Sequence, residues 1–245
     1  MNNNQLLPFP ISIFLALLPC FLWLLFYLRK DNRPEPKRMV IKVFLLGILV
    51  TFPLILIETA LLFIIDVFSL SFFWKIFILS FLVISLIEEL GKFFILKTTV
   101  FSSPEFDEPV DGMIYGVIVA LGFAASENFF YLFPISLKER FTLAQAFLFR
   151  SLGATFFHTL SSAILGFFVG LSFFFKRRRS ELITLGLFLA FLLHGVYDFC
   201  ILYFERSLIA LGVPIIILFF VGILVSLGFE YLKKIAKIKQ YAKFS

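Results

Sequence analysis

The sequence predicts an all-α bundle of about seven membrane-spanning helices, and three observations predict it. The 245 residues are 61% hydrophobic, include 38 Phe and are only 16% charged, and the mean hydropathy of +1.02 lies far above that of a water-soluble domain. The apolar residues fall into seven runs, each near the ~20 residues that a helix needs to cross a bilayer. The basic residues collect in the gaps between those runs. Seven spans leave only short loops, so residues 1–245 are expected to form one multi-pass domain in the cell membrane, with the bilayer as its solvent.

The first run, about Phe9 to Leu28, has no charge before it and its basic residues after it, which marks a retained span rather than a signal peptide. Further spans are expected at about Val43 to Ile65, Phe72 to Leu96, Gly112 to Phe133, Ala144 to Phe175, Leu182 to Phe204 and Leu208 to Leu232. Most of the positive charge sits in three places. These are the loop with Arg29, Lys30, Arg33, Lys37, Arg38 and Lys42, the run Lys176 to Arg179, and the tail with Lys233, Lys234, Lys237, Lys239 and Lys243. Seven spans put all three on one side, opposite Lys75, Lys138, Arg140 and Arg206, so the N-terminus is expected outside and the C-terminus in the cytoplasm. The net charge of +6 is therefore a topology signal, and nucleic-acid binding is excluded. Cys20 and Cys200 fall inside apolar runs and frame neither a disulfide scaffold nor a zinc finger. The turn-rich acidic stretch from Thr98 to Asp111 is expected to be a connector, and no internal repeat of the transporter kind is visible.

Charge inside the spans carries the functional information. Glu88, Glu89 and Lys92 lie on the third span, Glu127 and Asn128 on the fourth, His158 on the fifth, and His194 with Asp198 on the sixth. A charge near a bilayer centre costs ~2.5–3.5 kcal/mol on insertion scales, so isolated acids and histidines here would cost on the order of 10–15 kcal/mol together. They are expected to share partners or water. Residues four apart lie on nearly one helical face, and three rows follow: Gly186, Ala190, His194 and Asp198; Ala154, His158, Ser162 and Gly166; and Gly116, Ala120 and Ala124 leading to Glu127. Small residues at that spacing let helix backbones meet inside membranes, so each acid or histidine is expected to face the bundle interior. On the third span the spacing pairs Ser85 with Glu89 and Glu88 with Lys92, which lets Lys92 neutralise one glutamate while the other stays available. A glutamate in a partly dry pocket suits a general base acting on water, histidine titrates near neutrality, and His194 with Asp198 can orient one imidazole toward a developing oxyanion. These parts fit hydrolysis of a buried peptide bond.

Plainer readings stand beside this one. Glu88, Glu89 and Lys92 also suit an interfacial helix end with snorkelling side chains. A lone His158 suits an interhelical hydrogen bond, although a second histidine on the next span weakens that reading. Glu127 and Asn128, with Tyr131 one turn on, suit bracing. Glu58 is a further buried acid outside these rows and is expected to be structural, and Tyr197 is expected to be packing.

The blocks Glu88-Glu89-x-x-Lys92, Gly122-Phe123-Ala124-Ala125-Ser126-Glu127-Asn128-x-x-Tyr131, His158 and His194 follow one another in an order that resembles the PrsW family of intramembrane proteases. The resemblance runs from about Ser85 to Asp198, and His194 with Asp198 also matches the ending of the related CAAX prenyl protease and bacteriocin-processing family. It implies cleavage of a membrane-anchored protein, such as a single-span anti-sigma factor, with Glu88 and Glu89 activating the water, His158 assisting as ligand or acid/base, and His194 with Asp198 holding the oxyanion. Lys92, Glu127 and Asn128 would support them. Glu89, His158 and His194 are the candidate ligands if the family's metalloprotease label applies. A zinc site and metal-free glutamate-and-water chemistry both stay open. So do two other classes: a proton- or cation-coupled transporter, which acids and histidines along helices also build, and a non-catalytic scaffold resembling the polytopic scaffold subunit of gamma-secretase.

Overall fold

A computed structural model describes residues 8–31, 33–137, 140–205 and 207–241. Lys138, Arg206 and Lys243, which enter the charge asymmetry, lie outside the described residues. Those described form seven helical runs and no strand. Helix α1 is Pro8–Leu28, and Pro34 and Pro36 keep the chain from continuing it. Helix α2, Lys37–Val67, starts directly after Pro36. Its first turns thus carry Lys37, Arg38 and Lys42, which the hydropathy pattern assigns to a loop. Helix α3 covers 72–100, with α turns over Phe72–Ile78 and Leu86–Ile95 and wider π turns over Leu79–Ser85 and Leu96–Val100. Helix α4 is Asp111–Ser136. Helix α5 covers 140–171, with a π segment at Arg150–Ala154 between α turns over Arg140–Phe149 and Thr155–Leu171. One 3₁₀ turn, Lys176–Arg178, leads into α6, Arg179–Tyr203, and α7 is Ile209–Tyr241.

Six of these runs are long and apolar enough to cross a membrane. The third is long enough, at ~1.5 Å per residue, but Glu88, Glu89 and Lys92 crowd too much charge into it. The expected third span is thus the helix that carries the most charge within its apolar stretch. Large apolar side chains such as Phe14, Leu56, Phe63 and Ile215 point outward, as hydrocarbon around a multi-pass bundle requires.

Helix α4 is the centre of the bundle: 72% of its apolar stretch is buried, against 17% for α7. It packs on α1, α2 and α5, while α6 packs on α5 and on the π segment of α3, and α7 covers α5 and α6. Small residues set the central crossing, as the rows predict. A Cβ added at Gly166 would fall 2.3 Å from the Gly112 carbonyl oxygen, and one at Gly116 would fall 2.7 Å from that of Ser162. The backbones of α4 and α5 therefore touch, which no larger side chain permits.

Candidate active site

The polar groups of the spans meet in one chain of contacts. Asp198 Oδ2 lies 3.3 Å from His194 Nε2, and His194 Nδ1 lies 2.9 Å from Glu89 Oε1. Lys92 Nζ donates to Glu89 Oε1 at 2.8 Å and to Glu88 Oε2 at 3.3 Å, and lies 3.1 Å from His158 Nδ1. His158 Nε2 is 2.6 Å from Glu127 Oε2, and Arg150 binds Glu127 at 3.0 Å and the Asn128 amide oxygen at 2.8 Å. Because Lys92 can only donate, Nδ1 of His158 is the acceptor, and Nε2 carries the proton given to Glu127. Helices α3, α4, α5 and α6 thus converge on one cluster, and the snorkelling arrangement does not occur: Lys92 and Glu89 are fully buried.

Local backbone form positions these groups. The π turns at Leu79–Ser85 and Arg150–Ala154 end within one turn of Glu88 and of His158. Such turns recur at functional sites because the wider turn re-aims the residues beyond it. Ser85 Oγ donates to the Phe191 carbonyl at 2.5 Å and locks α3 to α6 beside His194. Phe157 seats the His194 ring at a centroid distance of 5.4 Å, and Tyr197 stacks on Phe157 at 4.0 Å, a packing contact.

The two neighbouring glutamates differ in surroundings. Glu89 Oε1 takes Lys92, His194 and, at 3.3 Å, the Ser161 hydroxyl, while its Oε2 is buried with no hydrogen-bond partner among the described residues. Glu88 Oε2 faces both imidazoles, 4.0 Å from His158 Nδ1 and 3.8 Å from His194 Nε2. One ligand atom from each of Glu88, His158 and His194 lies within 4.8 Å of the others. Two histidines and a carboxylate match the donor set of a catalytic zinc site. Glu88 is the carboxylate that stands in reach of both imidazoles, where the sequence reading takes Glu89 as the candidate ligand; Glu89 Oε1 is occupied by three donors.

Asn128 is fully buried and donates to Thr155 Oγ1 at 2.9 Å and to the Ala16 carbonyl at 3.3 Å, tying α4 to α5 and α1. Tyr131 meets Arg150 through its ring, 5.3 Å from the guanidinium, rather than Glu127 through its hydroxyl. Arg150 is the residue that sequence reasoning misses. Its signal is a basic residue inside the fifth apolar run, two helical turns before His158, and weighing charge only between the runs passes over it. Glu58, expected from sequence to be structural, lines a cavity of about 300 Å³ together with Glu88, Glu127 and Arg150.

With this geometry in hand, the comparisons with known proteins agree on one family. Residues 35–229 match the model described as PrsW family intramembrane metalloprotease. The chain is 32% identical over 218 residues to Protease PrsW of Geobacillus kaustophilus (strain HTA426), covering 89% of this chain and 87% of that one. It is 35% identical over 178 residues to Protease PrsW of Bacillus subtilis (strain 168), covering 71% and 74%. No solved structure matches.

Proposed function

The chain belongs to the PrsW family of intramembrane proteases, and from that premise we propose that it hydrolyses a peptide bond of a membrane-anchored protein with Glu89 as the base that activates water. The observation that carries this reading is the asymmetry of the Glu89 carboxylate: one oxygen is held by three donors, and the other is buried without a partner. A fixed carboxylate with one free oxygen is oriented to accept a proton.

In this mechanism a water gives a proton to Glu89 Oε2 as its oxygen bonds to the scissile carbonyl carbon. The carbon–nitrogen bond then breaks, and the same proton passes from Glu89 to the departing nitrogen. Glu88, His158 and His194 would hold a divalent ion, zinc by donor type, and such an ion supplies Lewis acidity for the carbonyl and for water when bound. Glu127 fixes the ring and the tautomer of His158 through Nε2, the usual task of a carboxylate behind a histidine ligand. Both nitrogens of His194 face carboxylates, Glu89 and Asp198, so an oxyanion role for His194 requires that one contact be released. Lys92 is the nearest fixed positive charge, and we assign it the developing negative charge.

The substrate class we propose is a single-span membrane protein of the anti-sigma-factor type, as the family resemblance implies, with the C-terminus of the protease in the cytoplasm. The test is cleavage of candidate single-span substrates by purified protein, with bound metal measured on the same preparations. Glu89→Gln should lower the rate by about 10²–10⁴-fold and keep its metal, whereas His158→Ala should lose both. Wild-type cleavage by Glu89→Gln would remove Glu89 from the reaction.

A further inference from the structure

Glu58 stands apart from the contacts described above. It lies on α2 in the row Thr51, Leu54, Ile55 and Glu58, whose spacing of three, four and seven residues turns one helical face toward the cavity of about 300 Å³. The cavity begins where α2 and α4 part. At Gly47 and Gly122 the two backbones touch, since a Cβ on Gly47 would fall 2.4 Å from the Val119 carbonyl oxygen. About one and three turns further along, Thr51 and Glu58 face Phe123, Glu127 and Tyr131 of α4 across the space. Glu88 also lines it, so the cavity reaches the carboxylate that neighbours the proposed base.

Counted as fully ionised, the charges within the spans do not balance. Glu58, Glu88, Glu89, Glu127 and Asp198 are five carboxylates, while Lys92 and Arg150 are the two fixed cations that bind among them. A divalent ion at Glu88, His158 and His194 still leaves one negative charge when both histidines are neutral. Glu127 has Arg150, Glu88 and Glu89 share Lys92, and Asp198 has His194. Glu58 has no ion pair among the described residues, and its Oε1 is buried with no hydrogen-bond partner. The walls already accept cations: the Arg150 guanidinium sits 5.3 Å from the Tyr131 ring centroid and Lys92 Nζ sits 4.6 Å from that of Phe123. The volume equals that of roughly ten waters, room for a long side chain whose stem lies on Leu54 and Phe130 while its head reaches the acid.

We propose that this cavity is a substrate subsite for a lysine or arginine side chain next to the scissile bond, with Glu58 as its counter-ion. That assignment rests on the hydrolytic reading of Glu89, and the cation site itself is measured without any turnover. The full-length protein in detergent is titrated by calorimetry with n-butylguanidinium, a mimic of the arginine head and stem, and with N-butylurea, its uncharged analogue. Wild type should bind the cation about tenfold more tightly than the urea, and Glu58→Gln should bring the two within about twofold. Glu58→Asp keeps the charge and should keep most of the preference, which separates charge loss from misfolding. Glu89→Gln lacks the proposed base and should bind as wild type does. Equal or undetectable binding of both probes by wild type, or a preference that survives in Glu58→Gln, overturns the subsite and leaves the hydrolytic reading intact. Undiminished cleavage by Glu89→Gln overturns the hydrolytic reading and leaves the cation site standing.

Discussion

Lys92 Nζ lies 3.1 Å from His158 Nδ1, inside the ring of groups that would receive a divalent ion. The ammonium therefore competes with metal for the same lone pair and the same carboxylates. Lys92→Met should bind zinc about tenfold more tightly, since a unit charge within ~4 Å acts strongly in a dry interior. Without metal it should lose about 3–5 kcal/mol of stability, the cost of leaving buried carboxylates unpaired. Zinc at a hundred times its dissociation constant should return about 2.7 kcal/mol of that loss. Chelator-competition titration and thermal melting with and without zinc read both effects, and an unchanged zinc affinity would count against the competition.

Arg150 and Glu127 form the outer brace of the cluster, 3.0 Å apart and only 16% and 25% exposed. Arg150→Met should destabilise the bundle by about 2–3 kcal/mol, between the limits for surface and buried pairs. Glu127→Gln should cost less, because the neutral amide keeps a hydrogen bond to the arginine. A double-mutant cycle in detergent unfolding should give a coupling of about 1–2 kcal/mol. Additive single effects would show that the pair is incidental.

Helix contact makes the opposite forecast for two glycines. Gly166→Val should fail to assemble or lose roughly 1–3 kcal/mol or more, because its Cβ would meet the Gly112 carbonyl at 2.3 Å. Gly212→Ala on α7 meets nothing within 4 Å and should stabilise by ~0.5–1 kcal/mol through helix propensity alone. Thermal melts of the two variants decide the matter, and equal melting would refute the close crossing.

Glu35, in the loop before α2, gives the pH forecast. Burial pushes its carboxyl up from 4.5 to about 7, with the Tyr115 hydroxyl as its hydrogen-bond donor and with Asp31 and Asp107 adding negative charge nearby. The folded state then holds a proton that the unfolded chain has released between pH 4.5 and 7. Stability from this group is full below 4.5 and lost as pH rises through 7. Melting temperature should fall over that interval in wild type relative to Glu35→Gln, and parallel curves for the two proteins would contradict it.

Much of the site is legible in the sequence because lipid makes charge conspicuous. Glu88, Glu89, Lys92, Glu127, His158, His194 and Asp198 stand out against apolar runs, and the small-residue rows show that they face inward. The division of labour between neighbours is less legible. Both i+3 and i+4 spacings reach Lys92, so α3 alone leaves its partner open, and it is His194 and Ser161, from other helices, that saturate Glu89 rather than Glu88. Glu58 gains its meaning only from the parting of α2 and α4, a three-dimensional event with no periodic signature. The helix ends at Lys37 and Tyr241 run past the apolar stretches because basic side chains are good helix formers, which hydropathy does not register.

The wide turns at Leu79–Ser85 and Arg150–Ala154 carry a genetic consequence. Each accommodates an extra residue relative to a regular coil, so losing one lets the turn close to a regular α coil and leaves the flanking residues close to their former facing. A single in-frame codon deletion in the regular turns beside them has no such relief and would rotate Glu88 and Glu89, or His158, by about 100° toward acyl chains while span count and composition stayed nearly the same. Homologous genes carrying such a lesion would still read as intact multi-pass proteins and yet encode an inert bundle.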